Sequence, residues 1–137
     1  MLPRRIVAAV VAVMAGAAVY PVLAATLDEL QGAWTMEGTE CDQTFRKTGN
    51  GVEFVDKGGS VTTGIIIAGN KISGPNASCT AQRTKADGDR MTALLSCSDT
   101  ILFDTIPVSF RVIDEDHFER FDPNFPDFAF GYQRCRF

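Results

Sequence analysis

The sequence predicts an all-β protein, an antiparallel meander that closes into a small barrel of about eight strands and is cross-linked by two disulfides. Short apolar alternations follow one another along the chain, and turn residues separate them. No segment after residue 25 keeps a helical period over ten residues. The candidate strands are 30–37, 42–48, 51–57, 60–68, 70–74, 78–85, 90–98, 101–112, 117–121 and 128–137.

Turn signals between the strands support this order. Glycine and asparagine tolerate the positive φ that tight hairpin turns require. A short polar lead, "TLDEL", precedes the first strand and predicts one helical turn capped by Thr26. The turn signals are Gly49-Asn50-Gly51, Lys57-Gly58-Gly59, Gly69-Asn70, Gly74-Pro75-Asn76 and Asp87-Gly88-Asp89.

Two strands show how the core is built. In "IPVSFRV" the alternate positions are apolar and predict one face packed on the core; they are Ile106, Val108, Phe110 and Val112. In "GIIIAG" three consecutive isoleucines, 65–67, break the alternation. This strand is therefore predicted to be covered on both faces, with the N-terminal turn on the outer one.

Residues 1–24 have the order of a cleaved secretory signal peptide. Two arginines precede an apolar run of 14 residues, 6–19, and small residues stand before position 25. The run is shorter than the roughly 18 residues that mark a membrane helix, which favours cleavage over the alternative of an uncleaved anchor. We therefore predict one exported domain, residues 25–137, periplasmic or secreted and without an integral membrane segment.

The charge of the mature chain excludes one class of partner. Loss of Arg4 and Arg5 leaves 11 of the 13 basic residues against 17 acidic ones, a net charge of −6. Nucleic-acid binding needs a basic face, so we expect no nucleic-acid partner. The 113 residues that remain suit a single domain with a modest core.

Four cysteines lie in the predicted mature chain, which favours two disulfides over a metal site because no C-x-x-C or C-x-x-H spacing occurs. Cys79 and Cys97 stand nine positions on either side of Gly88, so an antiparallel hairpin places them opposite each other. Cys41 and Cys135 remain for the second bond, which would join the ends of the barrel.

Gly32-Ala33-Trp34 has the G-x-W form that begins the first strand of lipocalins and related calycin barrels. The chain resembles that superfamily at its two ends. The resemblance implies that an arginine of the last strand lies across the tryptophan and closes the barrel floor; Arg134 is the matching residue, with Arg136 next. The T-D-Y-type motif of a typical lipocalin is missing. In size and compartment the chain is also similar to small exported bacterial barrels that inhibit lysozymes or proteases.

The residue pattern gives little support to catalysis or to a cofactor. The single histidine, His117, lies among acidic residues in "DEDHFERFD", which suits a solvated turn better than a metal or general-base site because an EF-hand spacing is absent. No G-x-S-x-G motif occurs. We expect no catalytic residue, no metal and no cofactor, and a hydrolase is the most remote alternative.

The C-terminal segment holds the candidate binding residues. Two prolines make "DPNFPD" a loop, in which Phe125 either stands exposed as a partner anchor or folds back on the core. Asp122, Asn124 and Asp127 complete the candidate site. In "DFAFGYQRCRF" the period of two predicts a closing strand whose inward face carries Phe128, Phe130 and Tyr132 as core.

Our first hypothesis from the sequence is an exported, non-enzymatic, inhibitor-like module that engages an unknown protein partner through its loops. The alternative is a carrier of a small lipophilic ligand. The two differ in whether the barrel is filled or holds a cavity above about 300 Å³.

Overall fold

The computed structural model describes residues 25–57, 63–99 and 101–137. The predicted signal peptide lies outside the described residues. The elements are β1 Gly32–Met36, α1 Cys41–Thr44, β2 Phe45–Thr48, β3 Gly51–Phe54, β4 Gly64–Ala68, β5 Lys71–Ser73, β6 Ser78–Asp87, β7 Arg90–Ser98, β8 Phe103–Asp114, β9 His117–Phe121 and β10 Ala129–Cys135.

Eight of these strands form a closed antiparallel barrel in the order β1-β10-β9-β8-β7-β6-β5-β4, and β2 and β3 form a separate hairpin. The barrel closes at β1, where Trp34 stands opposite Arg134 on one side and Ile65 on the other. Gly69 and Gly88 each have a φ of +61° in the predicted tight turns. The predicted fold class is confirmed. Within the described residues no helix is long and apolar enough to cross a membrane.

Both predicted disulfides are present. Cys79 lies directly opposite Cys97 on β6 and β7, with 4.0 Å between their Cα atoms. Cys41 is bonded to Cys135 with a Cα separation of 5.6 Å, and this bond ties the start of α1 to the end of β10. The Cys41–Cys135 bond, the outer of the two in sequence, therefore links the segment that leads into the β2–β3 hairpin to the last barrel strand.

The predicted strand 42–48 is wrong over its first three residues, since Cys41–Thr44 form a helical turn. This turn starts at Glu40, whose backbone N–H donates to the Gln43 side chain at 3.4 Å. It carries the Thr44 hydroxyl to 2.6 Å from that of Thr35 in a buried position. Strand pairing begins only after this turn, at Phe45. The same turn carries Cys41, which is bonded to Cys135.

The barrel interior is filled mainly by aliphatic and aromatic side chains. Phe118 lies at its centre: it stacks on Tyr132 with ring centroids 5.0 Å apart and meets Trp34 edge-on at 4.7 Å. The other members of this core include Ala25, Leu30, Ile65, Ile67, Ile72, Met91, Ala93, Leu95, Val108 and Phe110. The predicted inward face of the "IPVSFRV" strand is thus observed from Val108 onward.

The prediction that Phe128 and Phe130 are core residues is wrong. Tyr132 is fully buried, but Phe130 is 50% exposed and Phe128 is 74% exposed. β1 ends at Met36, opposite Tyr132, so the start of β10 extends past the rim of the barrel. The face assignment from parity holds for Phe130, but β1 does not reach far enough to cover either ring.

A second, outer cluster covers the other face of β4. Ile66 packs against a group that includes Ala33, Phe45, Phe54 and Cys135, so the β2–β3 hairpin covers it and not the N-terminal turn as predicted. Gly64 permits this approach. A Cβ at this residue would lie 2.7 Å from the Trp34 carbonyl oxygen and 2.9 Å from the Phe45 ring.

We expect Phe110→Ala to lower the free energy of unfolding by about 3–5 kcal/mol, because it truncates a fully buried ring. Phe130→Ala removes a ring at the rim and should cost less than about 1 kcal/mol. Denaturant unfolding of the two variants measures the difference. Equal losses would show that the rim aromatics belong to the core after all.

Candidate functional site

The barrel has two different ends. The floor end carries residues 25–31 and the turns at Gly69-Asn70, Gly88-Asp89 and Glu115-Asp116. The open end carries the β5–β6 turn, the β7–β8 connection and the loop 122–128. Antiparallel strands alternate in direction, so every second connection falls at the same end. The loop that holds the candidate binding residues, 122–127, is therefore at the open end.

Arg134 closes the floor of the barrel. The Arg134 guanidinium carbon lies 4.0 Å from the centroid of the Trp34 ring. Its N–H groups donate to the carbonyls of Gln31 at 2.5 Å, Glu29 at 2.9 Å and Glu115 at 2.8 Å. Trp34 Nε1 donates to the Leu30 carbonyl at 2.8 Å. The N-terminal turn is thus held beneath the barrel as a plug.

The backbone conformation and the close approach of Arg134 explain why the first residue of G-x-W is glycine. Gly32 has a φ of +120°, which other residues rarely adopt, and a Cβ there would lie 3.2 Å from Arg134 Nη1. Burial, and then the neighbouring Arg136, lower the pKa of Arg134, whereas Asp116 raises it. These features serve closure of the barrel.

A cleft of about 470 Å³ lies outside the floor and is bordered by four carboxylates and Arg134. The carboxylates belong to Glu29, Asp89, Asp114 and Glu115. His117 Nδ1 lies 2.8 Å from Asp114 Oδ1, and the pKa of Asp114 is lowered by the Asp116 backbone N–H and then by His117. The predicted solvated turn is observed here. Among the described residues no group of three potential ligands is arranged to hold a metal ion.

The barrel interior keeps only a small cavity at the open end. Its volume is about 130 Å³, well below the roughly 300 Å³ at which small-molecule sites begin. A cleft of about 290 Å³ lies between the prolines of loop 122–128 and polar residues that include Thr92 and Ser109. Another, of about 360 Å³, lies at the β5–β6 turn of the open end. The apolar lining of the interior cavity includes Ile65, Ile72, Leu95, Ile106, Val108 and Phe110.

Arg120 is the charged residue in this lining. It stands opposite Phe110 and Phe130 on the neighbouring strands, and its guanidinium carbon lies 5.7 Å from the ring centroids of both Phe130 and Tyr132. No carboxylate pairs with it among the residues that the structure describes. Arg120 is therefore a cation that lies near two aromatic rings and has N–H donors without a carboxylate partner in the described structure.

The Tyr132 hydroxyl is also without a partner. The side chain is fully buried and its oxygen makes no hydrogen bond within the described structure. A buried donor left unsatisfied costs roughly 1–3 kcal/mol. Burial raises the pKa of Tyr132, and the nearby Arg120 charge opposes that rise. Arg120 and the Tyr132 hydroxyl are thus two neighbouring donors without an acceptor in the described structure, and of the two only Arg120 borders the cavity.

The predicted recognition loop is a compact turn. Asp122 Oδ1 accepts from the Asn124 backbone N–H at 2.8 Å and from its side-chain amide at 3.1 Å, and the Phe125 N–H donates to the Asp122 carbonyl at 2.9 Å. Phe125 is 61% exposed, so of the two alternatives left by the sequence the exposed one is observed. The candidate residues Asp122, Asn124 and Asp127 are exposed beside it.

The open end carries more exposed apolar side chains than the sequence predicted. Ten large apolar residues are exposed in the described structure, and seven of them lie in the segments 101–106 and 125–130. Those seven are Ile101, Leu102, Phe103, Ile106, Phe125, Phe128 and Phe130. Ile106 lines the small cavity, and Phe130 contacts Arg120 in the same lining. Ile106 and Phe130 therefore lie near the same cavity, one from each segment.

Arg120 was missed at the sequence level. Its alternation with Phe118 in "HFERF" gave the available signal, because a residue two positions from an inward aromatic faces inward. A charged residue at an inward position is expected either to be paired or to reach solvent.

Comparison with protein-family models, with curated proteins and with solved structures finds no match for this chain.

Proposed function

We propose that this chain is an exported binding module of calycin-like plan, without catalysis of its own, which engages another protein through its open end. The observation that carries the proposal is that seven of the ten exposed large apolar side chains in the described structure lie in two segments at the open end, 101–106 and 125–130. Contiguous exposed apolar surface on a small monomer is typical of an interaction site. Aromatic anchors near the centre of such a patch supply most of the binding energy in protein complexes.

The polar surroundings suit the same purpose. The apolar side chains of the open end alternate with exposed carboxylates, such as Asp99, Asp104, Asp122 and Asp127. A rim of this kind keeps water from the apolar centre of an interface. Phe125 stands on a loop restrained by two prolines and an Asp122–Asn124 hydrogen bond, so little conformational entropy is lost when it docks.

Four further observations support binding without turnover in an exported protein. All four cysteines are in disulfides, which is typical of an oxidising compartment and leaves no free thiol. The lone histidine is bonded to Asp114 in an exposed turn. The interior cavity is smaller than a lipophilic carrier requires. The signal-peptide order of residues 1–24 supports export.

The test is capture of a partner by immobilised residues 25–137 from the envelope and secreted fractions. Phe125→Ser combined with Phe128→Ser should reduce the captured partner at least tenfold, because two aromatic anchors are typically worth more than about 1.4 kcal/mol together. Ile113→Ser is the matched control, since Ile113 is an exposed apolar residue of the floor end. Equal capture by all three chains would refute an interface at the open end.

A further inference from the structure

We infer that Arg120 binds a carboxylate, and that the cavity beside it receives the apolar C-terminal residue of the partner protein. This inference rests on the proposed function, because it names the chemistry of the partner at the same open end. Three features of the barrel mouth carry it: an arginine without an ion pair, a buried hydroxyl without an acceptor, and a cavity sized for one side chain.

The arginine is held ready for an anion. Two other arginines of the barrel have polar partners: Arg111 lies 2.7 Å from Glu119 Oε2, and Arg134 donates to three carbonyls. Arg120 has no ion pair among the described residues, and its guanidinium carbon lies 5.7 Å from the ring centroids of Phe130 and Tyr132. Cation–π contacts of this kind do not use the N–H donors of the guanidinium. A carboxylate is the group that matches this planar donor set best.

The Tyr132 hydroxyl gives a second, independent indication. It is a buried donor with no acceptor, and Arg120 lies over the ring that carries it. A buried hydroxyl is normally paired in a folded protein. An anion bound at Arg120 would bring acceptor oxygens close to the ring that carries this hydroxyl.

The size and closure of the cavity select the occupant. A cavity of about 130 Å³ is close to the ~150 Å³ that accommodates one benzene molecule, so it holds one leucine-sized or phenylalanine-sized side chain. The floor plug closes the opposite end of the barrel. A chain terminus can enter a pocket that is closed at its far end, whereas an internal segment would have to leave it again. A C-terminal apolar residue carries the side chain and the carboxylate on one Cα.

The experiment titrates residues 25–137 with two peptides, acetyl-Gly-Gly-Leu with a free carboxylate and the same peptide as its C-terminal amide, by calorimetry or NMR. We expect the free acid to bind at least tenfold more tightly, since a charge-assisted hydrogen bond distinguishes the two. Arg120→Gln should bring the free acid to the affinity of the amide, and Arg120→Lys should restore part of the difference. Arg83→Gln, which removes an exposed arginine of β6, should bind both peptides as the parent does.

Several results would overturn the inference. They are equal binding of acid and amide by the parent, no binding of either peptide at about 5 mM, and an unchanged preference in Arg120→Gln. Equal or tighter binding of 4-methylpentanoate would assign the site to a small-molecule acid. Equal binding of acetyl-Gly-Leu-Asp-Gly-amide would assign it to an internal acidic residue. Each of these excludes a chain terminus as the specific occupant.

The capture assay separates failure of this inference from failure of the proposed function. Arg120→Gln should lose the captured partner as the Phe125→Ser/Phe128→Ser chain does. If Arg120→Gln captures the partner like the parent while the double variant does not, the open end binds a protein by another contact, and only the inference fails.

Discussion

Replacing Cys41 and Cys135 together by alanine should lower the free energy of unfolding by about 4.5 kcal/mol, which we expect to be the largest loss from removing any single bond of this chain. The bond spans 94 residues, and in the chain-entropy model a longer closed loop restricts the unfolded chain more. It also anchors the helical turn before the β2–β3 hairpin to the end of β10.

The Cys79→Ala/Cys97→Ala chain is the matched control. Its bond spans only 18 residues, within a hairpin that the β6–β7 turn already defines, so the expected loss is about 3 kcal/mol. Denaturant unfolding of both variants at the same pH measures the order. A larger loss from the inner bond would mean that the hairpin depends on its cross-link and that the outer bond is secondary.

Trp34→Ala should cost about 3–5 kcal/mol, because the indole is fully buried at the floor of the barrel. The substitution removes the edge-on contact with Phe118, the hydrogen bond to the Leu30 carbonyl and the surface on which Arg134 lies. The N-terminal turn should then lose its attachment. Hydrogen exchange of the amides at residues 29 and 30 would report that release directly.

Trp34→Phe is the informative comparison, since it keeps an aromatic face for Arg134 but loses the indole N–H. We expect a loss between that of alanine and that of the parent. If Trp34→Ala costs less than about 1 kcal/mol, the floor is held by the backbone carbonyls around Arg134 and the indole contributes little.

Period-two alternation and turn residues predicted the barrel because both act locally. A glycine at the Gly88 turn determines the hairpin, and the hairpin determines that Cys79 meets Cys97. The G-x-W motif and Arg134 also met as predicted, because directly paired strands bring the two residues opposite each other. Such features need only the chain order and the alternation of faces.

The errors arose where a residue's surroundings depend on a distant strand. Alternation placed Phe130 on the inward face correctly, but its exposure depends on where β1 ends, at Met36. Ile66 was expected to be covered, but the covering element is the β2–β3 hairpin, which no local pattern identifies. How deeply a side chain is buried in a barrel depends on the neighbouring strands, which a local sequence pattern does not identify.

The candidate site was predicted in part. Phe125 and its polar neighbours were found from the two prolines of their loop, and the structure places them at the open end. Arg120 was not found, because its lack of an ion pair is visible only when all carboxylates have positions. A sequence shows that a residue is charged, but only the structure shows whether an opposite charge lies near it.

The nested order of the disulfides has a consequence for how the molecule is made. Cys41 and Cys79 are the first two thiols that an elongating or translocating chain presents, yet neither is the native partner of the other. β1 likewise meets β10 only after the last strand has arrived. Oxidation in order of appearance would trap a wrong bond, and thiol–disulfide exchange must then undo it. The yield of native protein is therefore governed by the exchange capacity of its compartment as well as by the stability of the barrel.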